Sequence, residues 1–225
     1  MSDLPALDLP FHELARKLYA AVLSDVLDDL GHMNQALRPF VRPLDEASVM
    51  CGRARTGLYR KVFHAEPGRN PYEVEMDLVD DLRPGDVAVL ACDGPTERIA
   101  PWGELLTTAA QVRGAAGCVT DGLVRDVRRI REMRFPVFAG GIGPLDTRGR
   151  AEMVARDVPV EIASVRVETG DLVFGDVDGV VVAPRALAGR AVERALAKVE
   201  AEDRTRDELL AGKSLRAVFE RFGVL

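Results

Sequence analysis

Apolar residues along this chain move from helical spacing to alternation and back. In residues 11–31, FHELARKLYAAVLSDVLDDLG, the positions Leu14, Leu18, Val22, Val26 and Leu30 recur close to one helical face, and Gly31 supplies a stop. This predicts helix, and the Ser24-Asp25 pair offers a cap at which a second helix could begin. RPLDEASVMCGRARTGLYRKV, from 42 to 62, alternates imperfectly and is broken by glycine, as a strand and its turn are. MDLVDDLRPGDVAVLACDG then reads as helix, a turn at Pro84-Gly85-Asp86, and a buried strand over 87–91 that ends at Asp93-Gly94. Next come a helix rich in small residues (WGELLTTAAQVRG), a strand (AAGCVT), a charged junction, a short basic helix and a second strand (PVFAG).

Strands alternating with short helices predict a parallel α/β middle section. After Gly140 the character changes. VPVEIASVRVETGDLVFGDVDGVVVAP is dense in valine and carries turns at Thr169-Gly170-Asp171 and Asp178-Gly179, which predicts mostly antiparallel sheet. The tail from about 186 to 225 reads as a long charged amphipathic helix with a break near Gly212. Val192, Leu196, Val199 and Leu209 form a stripe on it suited to a neighbouring surface. RPGDVAVLACDG (83–94) and ETGDLVFGDVDG (168–179) echo each other, a similarity that turn chemistry alone accounts for. No linker divides the 225 residues, so one domain with a helical tail is expected.

Composition narrows the function classes. A net charge of −6 argues against a surface for nucleic-acid phosphates. The opening residues lack a basic segment followed by an apolar one, and no run approaches the roughly 18 apolar residues of a membrane span. A soluble, cytoplasmic protein is therefore expected. Cys51, Cys92 and Cys118 are far apart and lie among small or apolar residues, so they read as buried thiols. His12, His32 and His64 have no second histidine at metal-ligand spacing.

The chemistry concentrates near the junction. A strand ending near Thr120 and a helix starting near Arg125 put Asp121 through Asp126 at a strand's carboxyl end, where open α/β sheets bind ligands. Asp126 suits Mg²⁺ or Mn²⁺ as a hard oxygen donor, and Arg125 offers a planar fork to a carboxylate. Equally, Asp126 could be a first-turn carboxylate favoured by the helix dipole, with Arg125 a solvated charge. A helix opening at Gly103-Glu104-Leu105-Leu106 presents free N–H groups to an anion, or Glu104 there merely complements the dipole. Twenty residues separate Glu104 from Arg125, enough for a helix and a returning strand, so both motifs would share one sheet edge.

WGELLTTAAQVRGAAGCVTDGLVRDVRRIREMRFPVFAGG resembles the signature block of the RraA-like family, and the likeness runs from SDVLDDLG near 24 to GVVVAP near 184. That family includes divalent-metal-dependent 4-hydroxy-4-methyl-2-oxoglutarate/4-carboxy-4-hydroxy-2-oxoadipate aldolases and regulators of ribonuclease E activity. The aldolase pattern is an acidic residue, twenty residues, then Arg-Asp, matched at Glu104, Arg125 and Asp126. The resemblance implies that Asp126 ligates Mg²⁺ or Mn²⁺ and that Arg125 holds the pyruvyl part of a small 2-oxo acid. It also implies that the Gly103, Glu104, Leu105 and Leu106 amides receive a carboxylate, and that Glu104 acts through metal-bound water. An acidic residue from a neighbouring subunit's tail completes such sites, and Glu200, Glu202 and Asp203 are candidates, with Glu202 favoured. The implied fold is a swivelling-type α/β sandwich with a mixed sheet, assembled as a trimer or a dimer of trimers. Oxaloacetate decarboxylation would pass through the same pyruvate enolate. The alternative is a non-catalytic protein that binds and regulates a ribonuclease. A methyltransferase is excluded for want of a glycine-rich nucleotide loop.

Overall fold

The computed structural model describes residues 9–93 and 97–223. Two helices, α1 (Phe11–Lys17) and α2 (Ala20–Asp29), precede the short strand β1 (Arg42–Pro43). Strand β2 (Met50–Lys61) and helix α3 (Glu73–Asp80) lead into β3 (Asp86–Ala91), α4 (Glu104–Val112), β4 (Gly117–Val124), α5 (Val127–Met133) and β5 (Val137–Ile142). Five strands follow: β6 (Ala151–Arg156), β7 (Val160–Ile162), β8 (Val165–Val167), β9 (Leu172–Asp176) and β10 (Gly179–Ala183). Helices α6 (Ala188–Leu210) and α7 (Leu215–Phe222) form the tail. Among the described residues no helix is long and apolar enough to cross a membrane.

The main sheet runs β1-β5-β4-β3-β2-β9-β10, with β6 also paired to β2. Strands β2 to β5 are parallel in that order, and the later strands join antiparallel, as the two halves of the sequence pattern predict. Arg42 on β1 donates to the carbonyls of Val177 at 3.3 Å and Asp178 at 2.8 Å in the β9–β10 turn. The two ends of the strand order thus nearly meet, and the sheet is almost closed.

Alternation sorts each strand between cores. Val87, Val89, Val119, Phe138, Val173, Val180 and Val182 point into the enclosed core, which the β7–β8 hairpin plugs with Val160, Ile162, Val165 and Val167. The intervening residues Ala88, Leu90, Cys118 and Val137 face the outer helices through Leu78, Ala110 and Ile130. On the other half of the sheet, Leu172, Phe174, Val181 and Ala183 pack with Leu14, Leu23, Leu27, Ala191 and Ala195 of α1, α2 and α6. A strand buried on both faces needs no polar side, which explains the near-continuous apolar runs. Removing one fully buried ring, as in Phe138→Ala, costs about 3–5 kcal/mol.

Two expectations need correction. The first two helices separate at Leu18-Tyr19, both extended, and the Ser24-Asp25 pair lies inside α2. The Ala20 N–H is capped from 156 residues away by Asp176 Oδ2 at 2.8 Å, while Asp25 pairs with Lys198 on α6 at 2.6 Å. A long-range cap therefore outcompetes the local one. The stripe on α6 is also used within the chain: Val192, Leu196 and Val199 pack into the core shared with α2, and Leu209 lines a groove with Tyr19 and Val22. By contrast the sequence echo is real turn chemistry. Arg83 N–H donates to Asp86 Oδ2 at 2.9 Å and Glu168 N–H to Asp171 Oδ2 at 2.8 Å, on the strands flanking β2. Of the turn expected at Asp93-Gly94, Gly94 lies outside the described residues, as do residues 1–8.

Candidate active site

The charged junction divides into a buried half and an exposed half. Strand β4 does not stop at Thr120 but runs on to Val124, with an irregularity in its pairing to β5 between Thr120 and Leu123, and α5 starts at Val127 rather than Arg125. The irregularity leaves Asp121 inside, only 1% exposed, where its Oδ1 accepts the Cys92 N–H at 2.8 Å and its Oδ2 has no hydrogen-bond partner among the described residues. Burial pushes this carboxyl up, against the pull of the Cys92 N–H. Asp121 is thus an interior group, and of the acidic residues in the junction Asp126 is the one at the surface.

A second segment is stitched to the end of β4. Leu123 N–H bonds Ile99 O at 3.0 Å, Trp102 bridges to Val124, and Arg125 N–H bonds Trp102 O at 3.0 Å. The fully buried Trp102 indole donates to Thr107 Oγ1 at 2.8 Å, and Thr107 Oγ1 donates to Gly103 O at 2.9 Å, locking the first turn of α4 in place. As the sequence suggests, α4 opens directly after Gly103.

At Gly103 a side chain would intrude on Arg125 and Asp126. A Cβ there would stand 2.7 Å from Asp126 Oδ2 and 3.2 Å from both Cγ and Nε of Arg125. Asp126 itself sits in the left-handed region at φ 59°, ψ 28°, a conformation that costs a non-glycine residue roughly 1–3 kcal/mol. Its carboxylate makes no cap bond to α5; instead Oδ2 accepts the Glu104 N–H of α4 at 3.2 Å. Asp126 thus stands at the N-cap of α5 without bonding it, and its carboxylate meets the first turn of α4 instead.

Arg125 lies between two carboxylates, 3.8 Å from Asp126 Oδ2 through Nε and 3.8 Å from Asp146 Oδ1 through Nη1, with its side chain 39% exposed. Both separations exceed hydrogen-bond length, so neither carboxylate consumes the guanidinium's donors. Asp146 is in turn held by the Tyr72 hydroxyl at 2.7 Å. Burial pushes Asp146 up, but the Tyr72 hydroxyl, the Arg148 and Thr147 backbone N–H groups and the Arg125 charge outweigh it and hold the carboxyl below its usual range. Tyr72 is pushed up to about 12 by burial and by its bond to Asp146.

Behind this group Tyr59, fully buried on β2, donates to Glu75 of α3. Burial raises Glu75 to about 7; the Tyr59 bond opposes the rise, the Asp146 charge adds to it and the Arg125 charge opposes it. Tyr72, Glu75, Tyr59 and Asp146 carry no signature in the sequence. The one available hint was the turn-forming string Pro144-Leu145-Asp146-Thr147.

The remaining expected residues fall unevenly. Glu104 is half-buried, and its Oε1 accepts Thr108 Oγ1 at 3.0 Å on its own helix. Leu105 is exposed, whereas Leu106 packs onto the outer core. Glu202 is not brought to Arg125 within the chain. It lines the groove between α2 and the tail with Tyr19, Val22 and Leu215, where burial raises its carboxyl against the Arg206 charge, with the Asp203 charge raising it further. Glu200 and Asp203 lie on the same helix, Asp203 paired with Arg206 at 2.5 Å. Among the described residues no three His, Cys, Asp or Glu side chains group as a cation's ligands. A single carboxylate, Asp126 at 47% exposure, still fits a hydrated Mg²⁺ or Mn²⁺, since such ions commonly keep several waters and take one or two carboxylates.

An arginine and a carboxylate beside a helix N-terminus, at the carboxyl ends of parallel strands, suit a small anionic ligand. The chain belongs to the RraA-like family, whose model, described as Aldolase/RraA, matches residues 20–182. It is 28% identical over 216 residues, 95% of this chain and 96% of the relative, to a protein of Halalkalibacterium halodurans provisionally named 4-hydroxy-4-methyl-2-oxoglutarate aldolase. A Burkholderia multivorans protein with the same provisional name is 35% identical over 156 residues, 68% of this chain and 87% of its own. Among solved structures, Streptomyces coelicolor RraAS2, described as an unusual member of the RNase ES inhibitor RraA family, superposes with a TM-score of 0.76 at 28% identity. That superposition covers 89% of this chain and 99% of RraAS2.

Proposed function

We propose that this protein is a divalent-metal-dependent lyase acting on 4-hydroxy-2-oxo acids of the 4-hydroxy-4-methyl-2-oxoglutarate or 4-carboxy-4-hydroxy-2-oxoadipate type. It releases pyruvate, and it also decarboxylates oxaloacetate. The observation that carries this reading is the convergence at Gly103, where the first turn of α4 lies against Arg125 and Asp126 so closely that a Cβ there would displace the Asp126 carboxylate. Asp126 is the residue that would hold Mg²⁺ or Mn²⁺, and the bound cation supplies Lewis acidity toward the 2-oxo acid.

The chain's own groups do the rest. Arg125 presents its planar fork to the substrate carboxylate, with the Leu105 and Leu106 amides at the open end of α4 as further donors. As the C3–C4 bond breaks, its electron pair passes into the pyruvyl carbonyl, and the Arg125 charge stabilises the negative charge that develops there. The C4 hydroxyl loses its proton as the second carbonyl forms, and C3 gains a proton to complete pyruvate. We assign the steering of these transfers to Glu104, whose N–H donates to Asp126 and whose carboxylate would turn from Thr108 to do so. Glu202 enters only across a subunit boundary, in a trimer or dimer of trimers where the tail of one chain reaches the next.

A second reading is favoured by the likeness to RraAS2: a non-catalytic protein that binds a ribonuclease. One experiment separates them. Pyruvate release is measured on a panel of 4-hydroxy-2-oxo acids and oxaloacetate, with Mg²⁺, with Mn²⁺ and with EDTA. The lyase reading expects metal-dependent release from at least one of them. Absence of release from every compound overturns it and leaves the binding protein.

A further inference from the structure

Three elements distant in sequence converge behind Arg125. Tyr72 is the residue at which α3 begins, Asp146 lies in the loop between β5 and β6, and Arg125 follows β4. The Tyr72 hydroxyl donates to Asp146 Oδ2 at 2.7 Å, and the other oxygen, Oδ1, stands 3.8 Å from Arg125 Nη1. The two oxygens of one carboxylate thus face a fixed phenol on one side and the guanidinium on the other. The loop that carries Asp146 is itself braced, since Arg150 Nη1 donates to Asp146 O at 3.1 Å and Arg150 N–H to Thr147 O at 2.8 Å.

We propose that Asp146, oriented by Tyr72, is the positioning residue for Arg125, holding the guanidinium over the site with its donors directed at the ligand carboxylate. This rests on the lyase reading for the identity of the ligand, though not for the arrangement itself. Arginine has a long, rotamer-rich side chain, and a bidentate contact needs it pre-oriented. Asp126 faces the guanidinium from the Nε side, through the Oδ2 that also accepts the Glu104 N–H, so the Nη1 end is held from Asp146. A carboxylate at 3.8 Å attracts the guanidinium without occupying its hydrogen bonds, which leaves the fork available.

The test uses the full chain with arginine labelled by ¹⁵N, the Arg125 Nε–H signal being assigned by its loss in Arg125→Lys. In ligand-free protein, relaxation of that signal reports a restrained side chain. Tyr72→Phe and Asp146→Asn should each make it mobile, and Asp146→Glu should restore part of the restraint, which a merely structural role would not produce at this one group. Pyruvate affinity, titrated on the same samples, should fall about tenfold in Asp146→Asn, the equivalent of one charge-assisted hydrogen bond. If Arg125 is as restrained in both variants as in the parent, the positioning role is overturned. If its mobility rises but the parent protein binds no pyruvate with Mg²⁺ present, the positioning role stands and the lyase reading falls.

Discussion

Two arginines in this molecule each stand between two aspartates, and they behave differently. Arg55 on β2 is 9% exposed; it donates to Asp157 through Nε at 2.7 Å and Nη2 at 3.0 Å, to Asp81 O at 2.9 Å, and approaches Asp86 at 3.4 Å. Arg125 is 39% exposed and lies 3.8 Å from each of its carboxylates. The first arginine is saturated and serves as a strut between β2, the end of α3 and the end of β6. The second is oriented but unspent. Charge pairing is common to the two; what differs is that, among the described residues, neither carboxylate beside Arg125 comes within hydrogen-bond reach of it.

The comparison can be broken most severely at Asp126. Asp126→Ala should reduce pyruvate release and oxaloacetate decarboxylation by at least about 10³-fold while chemical denaturation shows a loss of only about 1–2 kcal/mol, since alanine tolerates the left-handed backbone less well than aspartate and the Glu104 N–H loses its acceptor. Residual activity that also survives EDTA would remove the metal from the proposal. Arg55→Ala should do the opposite: a loss of about 2 kcal/mol in urea unfolding, because Asp157 loses both of its bonds from Arg55 and the buried Asp86 is left with Arg53 and the Arg83 N–H alone, with kinetic constants little changed in the protein that remains folded.

Glu75 sharpens the contrast through pH. Its carboxyl is raised in the fold from 4.5 to about 7. Between those values the unfolded chain releases the proton and the folded one keeps it, so this group's stabilisation is full below about 4.5 and is lost as pH rises through about 7. Glu75→Gln should therefore flatten stability between pH 4.5 and 7 by roughly 2–3 kcal/mol, read from urea midpoints across that range. An unchanged slope would place the titration elsewhere. The smallest effect is expected for Arg125→Lys, which keeps the charge but loses the fork: kcat/KM should fall about 10- to 30-fold with stability unaltered. Near-parental kinetics would make Arg125 a solvated charge.

How much of this was legible in the sequence depended on whether the determining contacts were local. Valine alternation with turns at fixed intervals specified the strands, because a residue's face follows from its neighbours two positions away. Gly103, Arg125 and Asp126 could be grouped because one helix and one strand of ordinary length return the chain to the same edge. The end of β4 was misjudged since Asp121 looks like the start of a loop, and only the buried N–H of Cys92 reveals why an aspartate continues the strand. Tyr72 and Asp146 meet across 74 residues and from loops of no fixed length, so no periodicity could join them. The same applies to Tyr59 and Glu75, one on a strand and one on a helix, each looking in isolation like an ordinary member of its element.

The cap on α2 carries a consequence for the order in which the protein can be made. Ala20 and Asp176 lie 156 residues apart, and the core beneath α1 and α2 is built from β9, β10 and α6. A chain growing on the ribosome therefore emits α1 and α2 well before the surface they rest on exists, and they must wait until β9, β10 and α6 have been synthesised. During that interval Leu14, Leu23 and Leu27 lack the larger part of their cover, with Cys51 of β2 present but β9, β10 and α6 still to come. A nascent or truncated chain ending before Leu172 should accordingly be cleaved within residues 11–30 by a nonspecific protease that leaves the same segment of the full chain intact. Equal resistance in the two would mean that the amino-terminal helices find shelter earlier than their native contacts allow.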